Sequence, residues 1–187
     1  MGEFCVKWLN PQGSHPCRAF TSFRRFVGNW RSAPSACDLS TRTMMTVRTN
    51  RALVQRYYNE MWNTWNFALA DELLSAEISF RGSLGPEVRG RSGFCDYMRR
   101  VRNAFPDFHN KIEQLVAEGD RVAARLQYTG THRGEIFGVQ PSGVSINYAG
   151  AAFFRIAGNR LAEGWVLGDL VSLTQQLGAQ TLPRALK

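Results

Sequence analysis

Four runs of alternating apolar and polar residues, typical of β-strands, follow one another in the second half of the chain. Short turns at 118–120 and 157–159 and a longer Gly- and Pro-containing connection at 134–143 separate them. Strands joined by short turns pair antiparallel, because parallel neighbours need a crossover of a dozen or more residues. The predicted strands span 108–116, 121–133, 144–156 and 160–167.

The residues before these strands have a helical period instead. From Asn50 to Trp65, apolar residues recur at helical spacing and predict an amphipathic helix of about four turns. A short helix is predicted at 69–74 and a third at 92–105, with Ser92 as its N-cap. The fold class is therefore α+β, with three N-terminal helices packed on a curved four-stranded antiparallel sheet. A sheet that curls around its helices forms a cone, whose open end leads to an internal pocket for a small molecule.

The charge is concentrated before this domain. Residues 1–49 hold seven basic and two acidic residues, in a chain whose formal net charge is +8. An Arg- and Ser/Thr-rich segment with few acids is typical of an organelle transit peptide, and the alternative is a true start at Met44 or Met45. We expect a disordered or transit-like extension at 1–49, a domain at 50–179 and a tail at 180–187. The expected location is the cytoplasm, or an organelle if the extension is a transit peptide.

Composition argues against several other classes of protein. No nucleic-acid partner is expected, because the domain has little net charge and no known nucleic-acid-binding signature. No apolar run approaches the roughly 20 residues that cross a bilayer, so we expect no membrane partner. Three of the four cysteines, Cys5, Cys17 and Cys37, lie in the extension, and neither they nor the three histidines have ligand spacing. The sequence therefore predicts no metal site and no cofactor.

Five segments carry a family resemblance: NRALVQRYYNEMWN, AFPDF, LVAEGDRVAARLQYTGTHRGEIFGVQPSG, FFRIAGNRLAEGW and DLVSLTQQLG, in this order between residues 50 and 178. Together they resemble the SnoaL-like polyketide cyclase family. The resemblance implies a cystatin-like, nuclear-transport-factor-like cone fold and a homodimer that buries one sheet face. It also implies cofactor-independent ring closure of a polyketide ester by intramolecular aldol condensation.

The catalytic residues of the family do not carry over. Its cyclases place an aspartate on the last strand and a histidine on the preceding strand. When the segments FFRI and DLVSLTQQLG are aligned, these positions fall on Val166 and Ala152, neither of which can transfer a proton.

Two charged residues are the remaining catalytic candidates. Asp169 directly precedes a helical run, so it is either the N-cap of that helix, which would lower its pKa, or a displaced acid. Arg81 lies in FRGSLG, at the expected pocket mouth, where its guanidinium suits a carboxylate or carbonyl oxygen. The alternatives for Arg81 are a surface arginine or a partner of Asp169.

Candidate ligand-binding residues follow from strand parity and loop position. Tyr148 has the parity of Ala152 and should face the pocket, whereas Trp165 has the opposite parity to Val166 and faces it only if a bulge intervenes. The full candidate set is Arg81, Ser83, His132, Tyr148, Trp165 and Val166. The favoured function is binding or converting a small polyketide- or ester-like molecule, as a cofactor-independent cyclase or isomerase. The alternatives are a non-catalytic ligand-binding protein and, third, a protein-interaction module.

Overall fold

The computed structural model describes residues 36–178, and every statement below refers to this part of the chain. Most of the predicted extension and the predicted C-terminal tail lie outside the described residues. No helix within 36–178 combines the length and the apolar character that a membrane crossing requires.

The structure has four α-helices, one π-helical segment and one 3-10 turn, and all but α3 and α4 precede the first strand. Helix α1 begins at Ala36, not at Asn50 as predicted, and continues without a break into a π-helical segment. The other predicted helices are found, and a fourth follows the last strand, but α3 begins at Gly90, so Ser92 lies within its first turn and is not its N-cap. The helical elements are α1 (Ala36–Arg56), the π-helical segment (Tyr57–Trp62), a 3-10 turn (Phe67–Leu69), α2 (Ala70–Leu73), α3 (Gly90–Ala104) and α4 (Leu170–Gln176).

The sheet has six strands and is mixed, so the predicted four-stranded antiparallel sheet is wrong in its count and in one pairing. In spatial order the strands are β2-β1-β6-β5-β4-β3, and β1 is parallel to β6 while the other neighbours are antiparallel. The strands are β1 (Leu74–Arg81), β2 (Glu87–Arg89), β3 (His109–Glu118), β4 (Arg121–Thr131), β5 (Ser145–Ala157) and β6 (Arg160–Gly168).

The two missed strands have a physical explanation. The register of β1 against β6 shifts between Leu74 and Ser79, which breaks the strict alternation by which a strand is recognised. The parallel partner of β1 is β6, about 80 residues later in the sequence, so no short turn indicates that the two strands pair. Strand β2 has only three residues, Glu87–Arg89, too few for an alternation of apolar and polar residues to indicate a strand.

The core lies between the helices and the concave face of the sheet. Aromatic rings from helices and strands meet there: the Tyr57 ring centroid is 5.3 Å from that of Phe154 in β5 and 5.9 Å from that of Phe94 in α3. Phe94 in turn lies 4.8 Å from Phe80 of β1, edge to face. Register shifts in β1, β3 and the β5–β6 pair bend the sheet around these rings. The α+β cone predicted from the sequence is confirmed.

Candidate functional site

All five tyrosines of the chain line one cavity between the helices and the concave sheet face. The cavity has a volume of about 30 Å³, which is space for about two water molecules. The lining residues are Tyr57, Tyr58, Trp62, Phe80, Ser83, Leu84, Tyr97, Val101, Phe108, Asn110, Tyr128, Tyr148 and Val166. We call this space the inner cavity.

Two glycines make room for this aromatic wall. Tyr128 of β4 and Tyr148 of β5 are cross-strand neighbours whose ring centroids are 5.0 Å apart. The Tyr128 ring lies over Gly150, where a Cβ would come within 2.3 Å of a ring carbon. A Cβ on Gly82 would come within 2.0 Å of the Tyr97 hydroxyl oxygen. Any side chain at either glycine would therefore displace a tyrosine from the wall.

Burial keeps the tyrosine hydroxyls in their neutral form. Removal from water raises the pKa of all five, to about 12 for Tyr97 and well above the ordinary value for Tyr57, Tyr58 and Tyr148. At neutral pH these groups can donate and accept hydrogen bonds but cannot act as bases. None of the described lining residues is an Asp, Glu or His.

Two polar groups in the cavity wall have no hydrogen-bond partner in the described part of the protein. They are the hydroxyl of Tyr148, whose side chain is 2% exposed, and the indole N–H of Trp62. The Trp62 indole lies beside the Tyr57 hydroxyl and partly offsets the rise that burial causes in the Tyr57 pKa. The two groups are nevertheless not placed for a hydrogen bond. The Tyr97 hydroxyl is different, because it accepts a hydrogen bond of 3.3 Å from the Leu84 N–H. Most buried polar groups in proteins are paired, so an unpaired hydroxyl in a cavity wall marks a position where a ligand can bind.

A second, more polar cavity adjoins the first and has a volume of about 260 Å³. It shares Leu84, Tyr97 and Val101 with the inner cavity, so these three side chains separate the two spaces. We call it the vestibule. Its other lining residues are Arg100, Asn103, Glu135 and Ile136, from α3 and from the connection between β4 and β5.

Asp169 is the N-cap of α4. Its Oδ1 accepts a hydrogen bond of 3.0 Å from the Ser172 N–H, and its side chain does not line the inner cavity. Of the two alternatives for this residue, the structure bears out the cap. Such a contact holds the helix start and contributes about 1 kcal/mol to stability.

Arg81 and Trp165 lie on the outer face of the sheet. They are register partners on the parallel strands β1 and β6, and the Arg81 guanidinium lies 5.2 Å from the centre of the Trp165 ring. Both line a surface groove together with Phe153 and Glu163, and neither belongs to the inner cavity. Their outward direction follows from the alternation along β6, where Val166 is buried and Trp165 is 40% exposed.

The remaining candidates divide between wall and loop. Ser83, Tyr148 and Val166 line the inner cavity as predicted. His132 is fully buried and does not line it. Its Nδ1 accepts a hydrogen bond of 3.3 Å from the Ser142 N–H and lies 3.0 Å from the Ser142 hydroxyl. This histidine therefore holds the connection between β4 and β5, part of which forms the vestibule rim.

The positions of the family's catalytic pair are adjacent in the structure. Ala152 and Val166 are direct cross-strand partners on β5 and β6, and both side chains are buried. An acid and a histidine at these two positions would be close enough to act together, but here both are apolar. Among the described residues, no three His, Cys, Asp or Glu side chains come together in a group that could hold a metal ion.

The model of the SnoaL-like polyketide cyclase family matches residues 52–177. The chain belongs to the SnoaL-like polyketide cyclase family. The comparison with curated proteins gave no significant match.

Solved structures with similar folds agree with this assignment. A candidate SnoaL-like polyketide cyclase from Jannaschia sp. CCS1 superposes with a TM-score of 0.67 at 21% identity, over 73% of this chain and 96% of that one. TsrD from Streptomyces laurentii has a TM-score of 0.63 at 27% identity, over 71% and 96%. AclR from Streptomyces galilaeus, described as a candidate hydroxylase, has a TM-score of 0.63 at 27% identity, over 72% and 88%.

The sequence interpretation missed most of the tyrosine wall. Apolar helical stripes, which indicate burial rather than a ligand site, carry Tyr57, Tyr58, Trp62 and Tyr97, and Tyr128 lies on a predicted strand. The available signal was compositional: every tyrosine of the chain lies between residues 57 and 148, on segments predicted to face the same interior.

Proposed function

We propose that this protein binds a small organic molecule that places a hydrogen-bond acceptor, such as a carbonyl oxygen, in the inner cavity. The observation that carries the proposal is the buried Tyr148 hydroxyl, which has no partner in the described protein. A buried polar group left unpaired costs about 1–3 kcal/mol. An acceptor oxygen at this point recovers that cost, whereas an apolar group does not.

Binding without acid–base turnover is the favoured form of this function. Proton abstraction from carbon needs a base near the operating pH, and the lining offers only tyrosines with raised pKa, Ser83 and Asn110. The family's acid and histidine positions carry Val166 and Ala152. The neutral hydroxyls can still polarise a carbonyl, so a cyclase or isomerase is the alternative function, supported by family membership.

A pair of matched ligands tests the binding proposal. Methyl 2-naphthyl ketone carries a carbonyl acceptor, and 2-ethylnaphthalene has a similar shape without one. We expect calorimetric titration to give about 3–10-fold tighter binding of the ketone, the contribution of one neutral hydrogen bond. Tyr148→Phe should abolish this preference while the hydrocarbon binds unchanged. Equal binding of both compounds to the unmodified protein would overturn the role of the hydroxyl.

A turnover assay separates the two forms of the function. Heptane-2,6-dione closes to 3-methylcyclohex-2-enone by intramolecular aldol condensation with loss of water, and the enone is followed by its ultraviolet absorbance. We expect the same rate with and without the protein. An accelerated rate that Tyr148→Phe removes would establish the enzyme alternative instead.

We also propose that two copies of the chain pair through the outer sheet face. Phe153 and Trp165 stand 5.9 Å apart on this face, and they and Leu167 are 52%, 40% and 53% exposed. Large exposed apolar side chains that lie together are typical of an interface. Light scattering during gel filtration should give a dimer for the unmodified protein and a monomer for Trp165→Glu. A monomer for both would contradict the pairing.

A further inference from the structure

We infer that the ligand is an organic acid, whose carboxylate lies in the vestibule at Arg100 while its acceptor oxygen enters the inner cavity. This inference rests on the proposed function and adds the chemical class of the ligand. It starts from the different sizes and chemistry of the two adjoining spaces.

The inner cavity admits only a small group. With a volume of about 30 Å³, it has space for a carbonyl or hydroxyl group but not for a ring. The vestibule, at about 260 Å³, can hold the body of a ligand. A molecule that reaches the Tyr148 hydroxyl from the vestibule therefore crosses the boundary formed by Leu84, Tyr97 and Val101 and leaves its larger part against α3.

The vestibule wall that this larger part contacts carries a cation. Arg100 is exposed, and its guanidinium lies 6.0 Å from the centre of the Tyr97 ring, the same ring that separates the two spaces. None of the ion pairs within the described residues includes Arg100, so its donors are available to a ligand. Guanidinium binds carboxylate through two parallel hydrogen bonds, which fixes its orientation as well as its charge.

Two other polar residues of the vestibule define where the carboxylate lies. Asn103, one turn along α3 from Arg100, offers a neutral amide donor on the same side. Glu135 carries a negative charge on the connection between β4 and β5 and repels an acid from that side. A carboxylate is thus directed toward Arg100 and Asn103 on α3.

The neighbouring arginine provides a matched control. Arg99 directly precedes Arg100 on α3 and does not line the vestibule. Its guanidinium pairs with the Asp96 carboxylate at 2.6 Å and lies 5.3 Å from the centre of the Phe67 ring. Arg99→Gln and Arg100→Gln remove the same charge from the same helix. A general electrostatic effect of α3 would appear in both variants, and a specific contact only in the second.

The experiment uses the full chain with 6-acetyl-2-naphthoic acid and its methyl ester, which share the acetyl acceptor and differ in charge. Calorimetric titration should give about fivefold or tighter binding of the acid, the range of a partly exposed charge-assisted hydrogen bond. Arg100→Gln should remove the preference for the acid and leave the affinity for the ester unchanged, while Arg99→Gln keeps the preference. Glu135→Gln should strengthen binding of the acid.

The outcomes distinguish this inference from the proposed function. If the ester binds as tightly as the acid and both depend on Tyr148, the organic-acid inference is overturned and the binding function stands. If neither compound binds, the proposed function fails as well. If Arg99→Gln and Arg100→Gln weaken the acid equally, the carboxylate does not contact Arg100 and the inference is overturned.

Discussion

Replacing Tyr148 with phenylalanine should make this protein more stable, although the residue lies at the centre of its fold. The Tyr148 side chain is 2% exposed and its hydroxyl has no partner in the described protein. Tyr148→Phe removes that group and breaks no hydrogen bond to another described residue. Relief of an unpaired buried hydroxyl is worth about 1–3 kcal/mol, and the small void left by the oxygen offsets part of it, so we expect a gain of about 1 kcal/mol.

The assay is urea denaturation together with thermal unfolding in the absence of ligand. A gain of about 1 kcal/mol corresponds to a rise in Tm of about 3 °C for a chain of this size. Tyr97→Phe is the matched control, because its hydroxyl accepts the Leu84 N–H and its loss leaves that donor unpaired. The control should lose about 1 kcal/mol.

The combination of results is what tests the argument. A stability gain in Tyr148→Phe with a loss of ketone binding would mean that the hydroxyl is kept for a ligand at a cost to the fold. A destabilised Tyr148→Phe would show that the hydroxyl is hydrogen-bonded in solution, and the reasoning from an unpaired group would be refuted.

Three further predictions concern the cavity wall and a hydrogen-bonded carboxylate. Val166→Asp places a carboxylate in the apolar wall, where burial raises its pKa above the unfolded value of about 3.9. The substitution should therefore destabilise the protein little at pH 4 and more as the pH rises, as measured by urea titrations at pH 4 and 8. A loss of stability that is the same at both pH values would show that the carboxylate stays in water. Gly82→Ala brings a Cβ within 2.0 Å of the Tyr97 hydroxyl oxygen and should cost about 1–3 kcal/mol of stability in thermal unfolding. Its control, Gly93→Ala, places a Cβ 3.4 Å from Val88 and should be neutral or stabilising. Equal changes in stability for the two variants would contradict the close packing at Gly82. Burial acts to raise the pKa of Asp107, but hydrogen bonds from the Thr131 hydroxyl and N–H lower it overall. The stability that these bonds contribute is therefore present above about pH 4 and is lost as the pH falls through the lowered pKa. The acid titration of Asp107→Asn should lack this loss of stability.

The parts of the fold that were predicted correctly have local causes. The last four strands were found because their period of two and their turns at 118–120 and 157–159 lie within a few residues of one another. The inward direction of Val166 and Tyr148 was predicted from strand parity, counted from the positions that the resemblance assigns to the family's catalytic residues. Helix α3 was recognised from one apolar stripe, now seen buried.

The α+β class follows from the sequence, because helical and strand periods are local. The five segments also carry the resemblance to the family, which implies that its acid and histidine positions hold Val166 and Ala152. The tertiary structure was needed to show that β1 joins β6 in parallel and that the five tyrosines line one cavity. It also decided that Asp169 caps α4 while Arg81 lies outside on Trp165. These features arise from contacts between segments distant in the chain, and no local period encodes which side chains meet across a core or which hydroxyl is left without a partner.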